Sequence, residues 1–503
     1  MKNTRILALV MAVLMVAALF AGCANTEDPS DTTAATTTAA TTTEATTTEA
    51  TTTEATTTEA TTTEATTTEA TTTEATTTEA PKTDLGGYEF KVQVGYGYES
   101  YMPTQDNEIG NEWAEAIENI QDEYNFTLNI ALGLADAGTI ATWIMSAEFP
   151  FDVQEGCTSD IFPWAMKGAI QNLASDEMLG YGLDIYSPEQ FYQPRTMMSA
   201  LKGGVWGMIF ASKFCTPKYG FCIMFNKELC ESVGYPADKM YQMVRDHEWN
   251  FTNYKDLCSK LIKDTDGDSH PNIWATGGGY NPFGAEVVIA GGKAFTEIDG
   301  KLTFTMDSPE AMNGLEFMVN EFQDAGWRRV SSDGDRSAGE DREAFAAGEV
   351  GLLWAASHYP TDETIRGAEI DYGIIPMPVA DYMEDYADSC NGPDVLFMFK
   401  GVQNKETVTK ALLAWASVLN DPENWKEQYL QDFCRGDEES FEMLRDYILP
   451  KLTDGDFRLS TDLTTLIETE CEDKIYYKQI SAAGGVEAVK AKAQELIDEM
   501  LGQ

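Results

Sequence analysis

The chain has 503 residues, and its 83 acidic against 34 basic residues give a formal net charge of -49 at pH 7. This charge repels nucleic acids and anionic membrane surfaces, so we exclude functions that depend on neutralising phosphate. With 43% apolar residues the chain can bury large cores in several folding units. Its three His residues disfavour a zinc site built mainly from imidazoles.

The first residues have the pattern of a secretory signal. Lys2 and Arg5 precede an apolar run over residues 6–20, which is shorter than the about 20 residues of a membrane-spanning helix. The ending Phe20-Ala21-Gly22-Cys23 resembles the lipobox of bacterial lipoproteins. That resemblance implies a signal peptide over residues 1–22 and an acylated Cys23, which tethers the chain to a membrane without crossing it. The alternative is an ordinary secretory signal with an incidental Cys.

A low-complexity segment follows the signal. The pentapeptide TTTEA occurs eight times from Thr41 to Ala80, and this stretch has no aromatic, Leu, Ile or Val residue. Such a composition cannot offset the entropy lost on ordering, so we predict a disordered linker over residues 23–83. We interpret it as a spacer that lifts a domain off the membrane, and its Thr density also permits O-glycosylation. A neutral, repeat-expanded linker is the alternative.

The next part of the chain alternates strand and helix patterns. Alternating apolar residues predict strands over 88–94 and 126–132, and a further strand is predicted over 151–155. Apolar residues at spacings of three and four predict helices over 109–124 and 140–144. This order of elements predicts parallel strands joined by right-handed crossovers, and therefore an α/β fold.

Later elements continue the same alternation. We predict a strand over 221–226, a helix within 249–261 and an amphipathic helix over 486–500. Ser308 is the expected N-cap of another helix, and Gly326 is its expected C-terminal cap. Open α/β sheets bind ligands beyond the carboxyl ends of their strands, so functional residues are expected in the loops that follow the strands.

Short motifs in this region point to one family. They are Gly204-Val205-Trp206-Gly207, Phe225-Asn226-Lys227-Glu228-Leu229, Trp249-Asn250-Phe251-Thr252-Asn253-Tyr254, Lys263-Asp264-Thr265-Asp266-Gly267-Asp268, Phe345-Ala346-Ala347-Gly348-Glu349-Val350-Gly351 and Ile374-Ile375-Pro376-Met377-Pro378. In order and spacing they resemble the extracellular solute-binding proteins of ABC transporters, the family that includes maltose-binding protein. The resemblance covers the chain from Leu85 to Leu501.

The resemblance implies a two-lobe, periplasmic-binding-protein-like α/β fold that closes on a solute by a hinge. It makes residues 84–503 one solute-binding domain, with the chain crossing between lobes near 216–221 and 392–396. It implies that a monomer on the outer face of the cell membrane captures a small solute, for which we expect an oligosaccharide, and delivers it to ABC permease subunits. We expect no cofactor, and no contact with the membrane except through the lipid.

Eight residues match pocket positions of that family. Aromatic rings stack on the apolar faces of sugars, while carboxylates, amides and hydroxyls bind sugar hydroxyl groups. The expected solute contacts are Tyr98, Thr158, Asp160, Tyr219, Tyr280, Asn281, Trp354 and His358. Some of them also suit a structural role, since Trp354 fits a core position and Asp160 fits the cap of a helix. His358 stands alone and fits a hydrogen-bonded histidine better than a metal ligand.

Acidic and sulfur-containing residues offer two further candidate features. Asp264, Asp266 and Asp268 have the spacing of a calcium loop, but Gly267 is displaced from the usual glycine position and Ala275 replaces the bidentate acid. We therefore expect an acidic turn there and no metal. Of the eight Cys residues after Cys23, Cys215 and Cys222 are the first pair to consider for a disulfide, and buried free thiols are the alternative.

The sequence does not indicate an enzyme. It has no Gly-x-Ser-x-Gly nucleophile elbow, no His-Glu-x-x-His and no P-loop. Two alternatives to an oligosaccharide receptor stay open. The acidic surface also suits a receptor for peptides or other cationic solutes, and the long linker also suits a surface adhesion or glycan-binding lipoprotein that transports nothing.

Overall fold

The computed structural model describes residues 83–95, 98–103, 107–278, 284–321, 326–329, 338–389, 394–421, 423–453, 458–477 and 479–503. The expected signal peptide, Cys23 and the TTTEA linker lie outside these residues. Within the described ranges, no helix combines the length and the apolar character that crossing a membrane requires.

The strands of the described residues form two four-stranded sheets and three short pairs. In chain order they are β1 (Tyr88–Val94), β2 (Phe126–Leu132), β3 (Val153–Cys157), β4 (Ala200–Leu201), β5 (Gly204–Val205), β6 (Phe221–Asn226), β7 (Trp274–Gly278), β8 (Phe295–Ile298), β9 (Lys301–Phe304), β10 (Val350–Ala356), β11 (Tyr372–Ile375), β12 (Asp388–Ser389), β13 (Asp394–Phe397) and β14 (Leu452–Thr453).

The first lobe is the sheet β13-β3-β1-β2 with the helices that cover it. β1 pairs in parallel with β2 and with β3, which confirms the predicted parallel strands, whereas β13 is antiparallel to β3. Phe90 and Val92 of β1 are fully buried because alternate side chains of the strand face the core. Trp415, from the helix Lys405–Leu419, packs with its ring 6.1 Å from that of Phe90.

The second lobe is the sheet β11-β6-β10-β7 with its own helices. β6 runs antiparallel to both β10 and β11, while β10 and β7 are parallel. Every residue of β6 and β10 is buried, which explains why both strands, apart from Asn226 at the end of β6, lack alternating polar residues.

The α-helices of the described residues are short on average and lie around the two sheets. They span Glu108–Tyr124, Ala137–Ser146, Thr158–Met166, Asp176–Gly180, Gln193–Thr196, Lys227–Ser232, Ala237–Arg245, Phe251–Leu261, Ala285–Ile289, Pro309–Val319, Ala338–Ala346, Glu363–Arg366, Lys405–Leu419, Trp425–Gln428, Glu438–Glu442, Thr461–Ile467, Asp473–Tyr476 and Ala482–Leu501. Single π-helical turns span Tyr429–Phe433, Met443–Ile448 and Glu468–Glu472, and 3-10 turns span Tyr98–Ser100, Met197–Ser199, Tyr359–Thr361 and Leu449–Lys451.

Most of the predicted elements are confirmed, and one strand is displaced. β3 begins and ends two residues later than the predicted strand over 151–155. Ser308 is the expected N-cap, because its Oγ accepts the N–H of Ala311 at 3.2 Å. The α-helical part of this segment ends at Val319, and Gly326 has the left-handed φ of 65° that a C-terminal cap adopts, but residues 322–325 between them lie outside the described residues.

The chain passes repeatedly between the two lobes, whose cores are separate clusters of buried residues. In the described residues, the segment 211–219 alternates between the two cores, and further passages from one core to the other follow Ala290, Met318, Tyr386, Leu419 and Leu449. The crossing segments are bonded to one another. The N–H of Ala211 donates to Asn420 Oδ1 at 3.2 Å, and β12 pairs in parallel with β14.

Candidate functional site

The loops that follow the strands of both lobes approach the crossing segments. The 3-10 turn Tyr98–Ser100 comes shortly after β1, and the helix Thr158–Met166 begins directly after β3. In the second lobe, β10 is followed by Ser357, His358 and the 3-10 turn Tyr359–Thr361. These are loops of the kind in which functional residues are expected.

A cavity of about 310 Å³ lies between the lobes, and we call it the inter-lobe cavity. The first lobe contributes Ser100 and Phe214, a crossing segment contributes residues 216–218, and the second lobe contributes Ser357 and His358. Its volume is at the lower end of small-molecule sites, which span about 300–1,000 Å³. The remaining lining residues are Thr361, Arg366, Gln428, Tyr429, Asp432 and Phe433.

His358 lines this cavity in a cationic environment. Burial lowers its pKa below the ordinary 6.5, and the charges of Arg342 and Lys218 lower it further, while Asp362 opposes them. Its backbone C=O accepts the hydroxyl of Thr361 at 3.0 Å, so the loop that carries the imidazole is internally bonded. At neutral pH the imidazole is uncharged and offers one N–H donor and one acceptor.

Lys218 lies in the crossing segment that lines the cavity. Its backbone C=O accepts Nη1 of Arg195 at 3.1 Å, and the Arg195 side chain is only 5% exposed. Burial raises the pKa of Asp394, at the start of β13, and the cations Lys218, Arg195 and Arg458 lower it in part. One carboxyl and three cations therefore act on each other where the chain crosses.

Thr158 and Asp160 lie together in the first turn of the helix Thr158–Met166. Thr158 is buried, and its hydroxyl donates to the backbone C=O of Arg458 at 3.5 Å. Asp160 is exposed and accepts the hydroxyl of Thr461 at 2.9 Å. The alternative interpretation of Asp160 as the helix cap is wrong, because the N-cap position is Cys157.

Tyr219 and Trp354 are the two expected contacts that the structure buries most deeply. Tyr219 is 2% exposed, and the Cys222 thiol donates to its hydroxyl at 3.6 Å. Trp354 is 0% exposed, and its Nε1 donates to the Tyr254 hydroxyl at 2.9 Å. Both side chains belong to the core of the second lobe in this arrangement and lie behind the surface that a solute reaches.

The other expected contacts lie at the surface or outside the described residues. Tyr98 is 41% exposed at the start of its 3-10 turn, next to the cavity residue Ser100. Tyr280 and Asn281 follow β7 and lie outside the described residues. Of the six expected contacts that lie in the described residues, His358 is the one in the lining of the inter-lobe cavity.

The three Asp residues of the calcium-like spacing do come together at the surface. Ligand oxygens of Asp264, Asp266 and Asp268 all lie within 4.8 Å of one another, and the three side chains are exposed. Backbone N–H groups of their own turn already donate to them, for example Gly267 to Asp264 at 2.7 Å. The cluster therefore has the bonding of an acidic turn.

The described cysteines after Cys23 form no disulfide with one another. Cys215 and Cys222, the pair first considered for a disulfide, are both buried and unpaired with each other. Cys390 lies outside the described residues. Burial raises the pKa of Cys222 to about 12, so this thiol is not reactive at neutral pH.

Several lining residues carry no signal in the sequence. Lys218 adjoins the expected Tyr219, but only the fold shows that it lines the cavity while Tyr219 does not. Arg366, Gln428 and Asp432 come from short helices without a motif. They lie near His358 because of how the chain folds over a long distance in sequence, and no local sequence pattern indicates this proximity.

A family comparison and solved structures agree with this architecture. The profile of a family described as bacterial extracellular solute-binding protein matches residues 158–417, a little over half of the chain. A comparison with curated proteins gives no match. The two-lobe α/β fold expected from the sequence is confirmed by the structural neighbours.

Three of these neighbours illustrate the range. An ABC substrate-binding protein of Listeria monocytogenes, in complex with cycloalternan, is 17% identical; the alignment covers 83% of this chain and 99% of that chain, with a TM-score of 0.57. MalE3 of T. maritima, bound to maltose, is 16% identical; the alignment covers 82% of this chain and 100% of that chain, with a TM-score of 0.54. UgpB from Mycobacterium tuberculosis, in complex with glycerophosphocholine, is 16% identical; the alignment covers 83% of this chain and 98% of that chain, with a TM-score of 0.54. At such identities the likeness establishes the fold.

Proposed function

This chain belongs to the family of bacterial extracellular solute-binding proteins, and we propose that it captures an oligosaccharide between its lobes and delivers it to an ABC permease. The observation that carries the proposal is the inter-lobe cavity, which residues of both lobes and of a crossing segment line together. A solute in that cavity contacts both lobes, so its binding favours the arrangement in which they stay together. A permease that binds this arrangement then selects the loaded protein.

The lining of the cavity suits a sugar. Phe214 and Phe433 offer aromatic carbon, and Ser357, Thr361 and Gln428 offer hydroxyl and amide groups. Apolar faces and many hydroxyls are what a sugar presents, so this combination matches it better than a purely apolar lining would. Two of the structural neighbours are described with the carbohydrates cycloalternan and maltose, which favours the same class of solute here.

The proposed contacts divide into two groups. His358 lies in the lining, and Tyr98, Thr158, Asp160, Tyr280 and Asn281 are proposed to extend the site along the loops that follow the strands. Tyr219 and Trp354 are proposed to support the site without contacting the solute. Their buried side chains hold the crossing segment and β10 in place. We propose no catalytic residue, because these groups are arranged to bind.

We also propose how the receptor is attached. Residues 1–22 are a signal peptide, Cys23 carries the lipid, and residues 23–83 form the linker that holds the domain over residues 84–503 outside the cell membrane. The linker has no basic residue up to Ala80, so its Glu side chains repel one another and favour extension. The receptor acts as a monomer.

The test uses the full chain purified in detergent, with its melting temperature measured against oligosaccharides, peptides and polyamines. A solute at 100 times its Kd adds about 2.7 kcal/mol to the free energy of unfolding, which raises the melting temperature by a few degrees. We expect a rise with one class of oligosaccharide, which His358→Gln weakens and the exposed control His270→Gln does not. A rise in melting temperature with peptides or polyamines alone overturns the proposal that the solute is a sugar. No rise with any solute overturns solute capture and favours surface adhesion.

A further inference from the structure

We propose that the solute of the inter-lobe cavity carries an anionic group, either a carboxylate or a phosphate or sulfate ester, and that Lys218 binds it. This inference rests on the proposed function and narrows its class of solute. It is the opposite of the cationic solute that the overall charge of the chain suggests.

The first observation is the sign of the charge in the cavity. The chain has 83 acidic and 34 basic residues, so an average patch of its surface is strongly negative. Among the described residues, the lining of the cavity instead contains Lys218 and Arg366 against one carboxylate, that of Asp432. Arg366 and Asp432 approach each other to 3.8 Å, which leaves Lys218 as the cation in excess. Net charge steers distant encounters, but binding depends on the groups that line the site.

The second observation is that Lys218 has no ion-pair partner among the described residues. The contrast is Lys227, also partly buried, whose Nζ lies 3.2 Å from Asp371 and 2.9 Å from Asp437. Lys218 is partly buried, and a lysine of this kind without a carboxylate partner among the described residues is unexpected in a chain so rich in acids. An anionic solute supplies the missing partner.

The third observation is the way the crossing segment is held. Arg195 is buried, and its Nη1 donates to the backbone C=O of Lys218, which keeps this part of the main chain in place beneath the cavity. Burial raises the pKa of Asp394, and the charges of Lys218, Arg195 and Arg458 all act on its carboxyl, so its interaction is not with Lys218 alone. The cation is therefore presented from a firmly bonded segment, which reduces the entropy lost when it binds.

The fourth observation is the neutral imidazole beside this cation. Burial lowers the pKa of His358, and the charges of Arg342 and Lys218 lower it further against the opposing charge of Asp362, so positive potential reaches the lining of the cavity. An uncharged imidazole can donate its N–H to an anionic oxygen or to a sugar hydroxyl. An anion that binds between Lys218 and His358 reverses the local potential and raises the pKa of His358.

The test compares solutes that differ only in charge, using the full chain in detergent and calorimetric titration. Trigalacturonate is compared with fully methyl-esterified trigalacturonate, and glucose 6-phosphate with glucose, so that the two pairs separate a carboxylate from a phosphate ester. We expect the charged member of one pair to bind about 10- to 100-fold more tightly than its neutral counterpart. Lys218→Met removes this preference, and Lys218→Arg retains most of it.

Matched controls distinguish a failure of this inference from misfolding of a variant and from a failure of the proposed function. Lys410→Met removes an exposed lysine paired with Glu406 and keeps the preference, and the melting temperature of each variant shows that it is folded. The pKa of His358, measured by NMR, rises when the charged solute binds. Binding of neutral solutes at equal or higher affinity, unchanged in Lys218→Met, overturns the inference and leaves the proposed function standing. No binding of any solute by the folded chain overturns both.

Discussion

The carboxylate of Asp388 accepts the backbone N–H of Gly220 at 3.0 Å and so joins two segments that cross between the lobes. The N–H of Phe221, the first residue of β6, donates to the same carboxylate at 3.0 Å. Asp388 is 3% exposed, and it begins β12, which pairs with β14 on a further crossing. Three crossings of the chain are therefore bonded at one place, where a hinge between the lobes must bend.

Gly220 is the residue at which this contact is closest. A Cβ atom at position 220 would lie 1.3 Å from the backbone O of Ser389, and backbone cannot move aside as a flexible side chain can. We expect Gly220→Ala to lower the free energy of unfolding by about 1–3 kcal/mol or more, measured by urea unfolding. It should also weaken solute binding, because the crossing segment next to Lys218 must shift.

The control for this variant is Gly180→Ala. Gly180 has no heavy atom within 4 Å of an added Cβ and lies in a short helix, so Ala is accommodated there. The prediction fails when Gly220→Ala and Gly180→Ala unfold at the same urea concentration.

Asp388 should make the stability of the protein depend on pH. Burial raises its pKa to about 7 from the ordinary 3.8, and the two backbone N–H groups oppose that rise only in part. Between these pH values the folded state binds more protons than the unfolded state. The stabilisation is therefore fully present below pH 3.8 and is lost as the pH rises through about 7.

The measurement compares the wild type with Asp388→Asn, which cannot titrate. We expect the free energy of unfolding of the wild type to fall relative to that of the variant between pH 4 and pH 7, by on the order of a few kcal/mol. Because both proteins share every other titrating group, their difference isolates Asp388. Parallel pH profiles for the two proteins would show that Asp388 is ionised in the folded state.

The fold could be predicted where the signal is local. The alternation of Phe90 and Val92 in β1 follows from a strand with one face on the core, and the apolar run of β6 follows from burial on both faces. The ends of strands and helices could be predicted less accurately than their existence. β3 is displaced because Gly156 and Cys157 continue the strand beyond the apolar residues that indicate it.

The site could be predicted only in part. His358 was predicted from the family resemblance, because it matches a pocket position after the Gly348 segment, and the structure places it in the loop that follows β10. Trp354 shows the limit of this reasoning, since it lies on the strand itself and only the packing of Tyr254 against it reveals that it is core. Lys218 and Asp432 line the same cavity although they are far apart in sequence, and a single sequence does not reveal such proximity.

Trp354 is expected to contribute to stability more than to solute affinity. Its ring packs on Phe317, its Nε1 bonds to Tyr254, and the Tyr254 hydroxyl in turn donates to the buried Glu321 at 2.9 Å. Trp354→Ala should lower the free energy of unfolding by about 3–5 kcal/mol. Urea unfolding measures this, and a loss below about 1 kcal/mol would contradict the core position.

Tyr254→Phe tests the polar part of the same network. It removes the acceptor of Trp354 Nε1 and one donor to Glu321, so buried polar atoms lose their partners and the expected cost is about 1–3 kcal/mol. Tyr186→Phe is the matched control, because Tyr186 is 58% exposed and its loss should change stability by less than about 0.5 kcal/mol. Equal effects of the two variants would show that the network adds nothing.

His358 provides a direct measure of the potential in the inter-lobe cavity. Burial lowers its pKa first, and the cations Arg342 and Lys218 add to that effect, so we expect an NMR titration midpoint below 6.5 in the free protein. Lys218→Met should move the midpoint upward by removing one of the two charges, while Lys410→Met should not. His358→Gln identifies the resonance.

The lowered pKa of His358 also determines how the stability of the protein depends on pH. Below pH 6.5 the unfolded state binds a proton at His358 more readily than the folded state does, so the contribution of His358 to stability is present above this pH and is lost as the pH falls below it. His358→Gln should remove that part of the acid sensitivity. A midpoint at or above 6.5 in the free protein would mean that no positive potential reaches the imidazole, and the cavity would then lack the charge that an anionic solute needs.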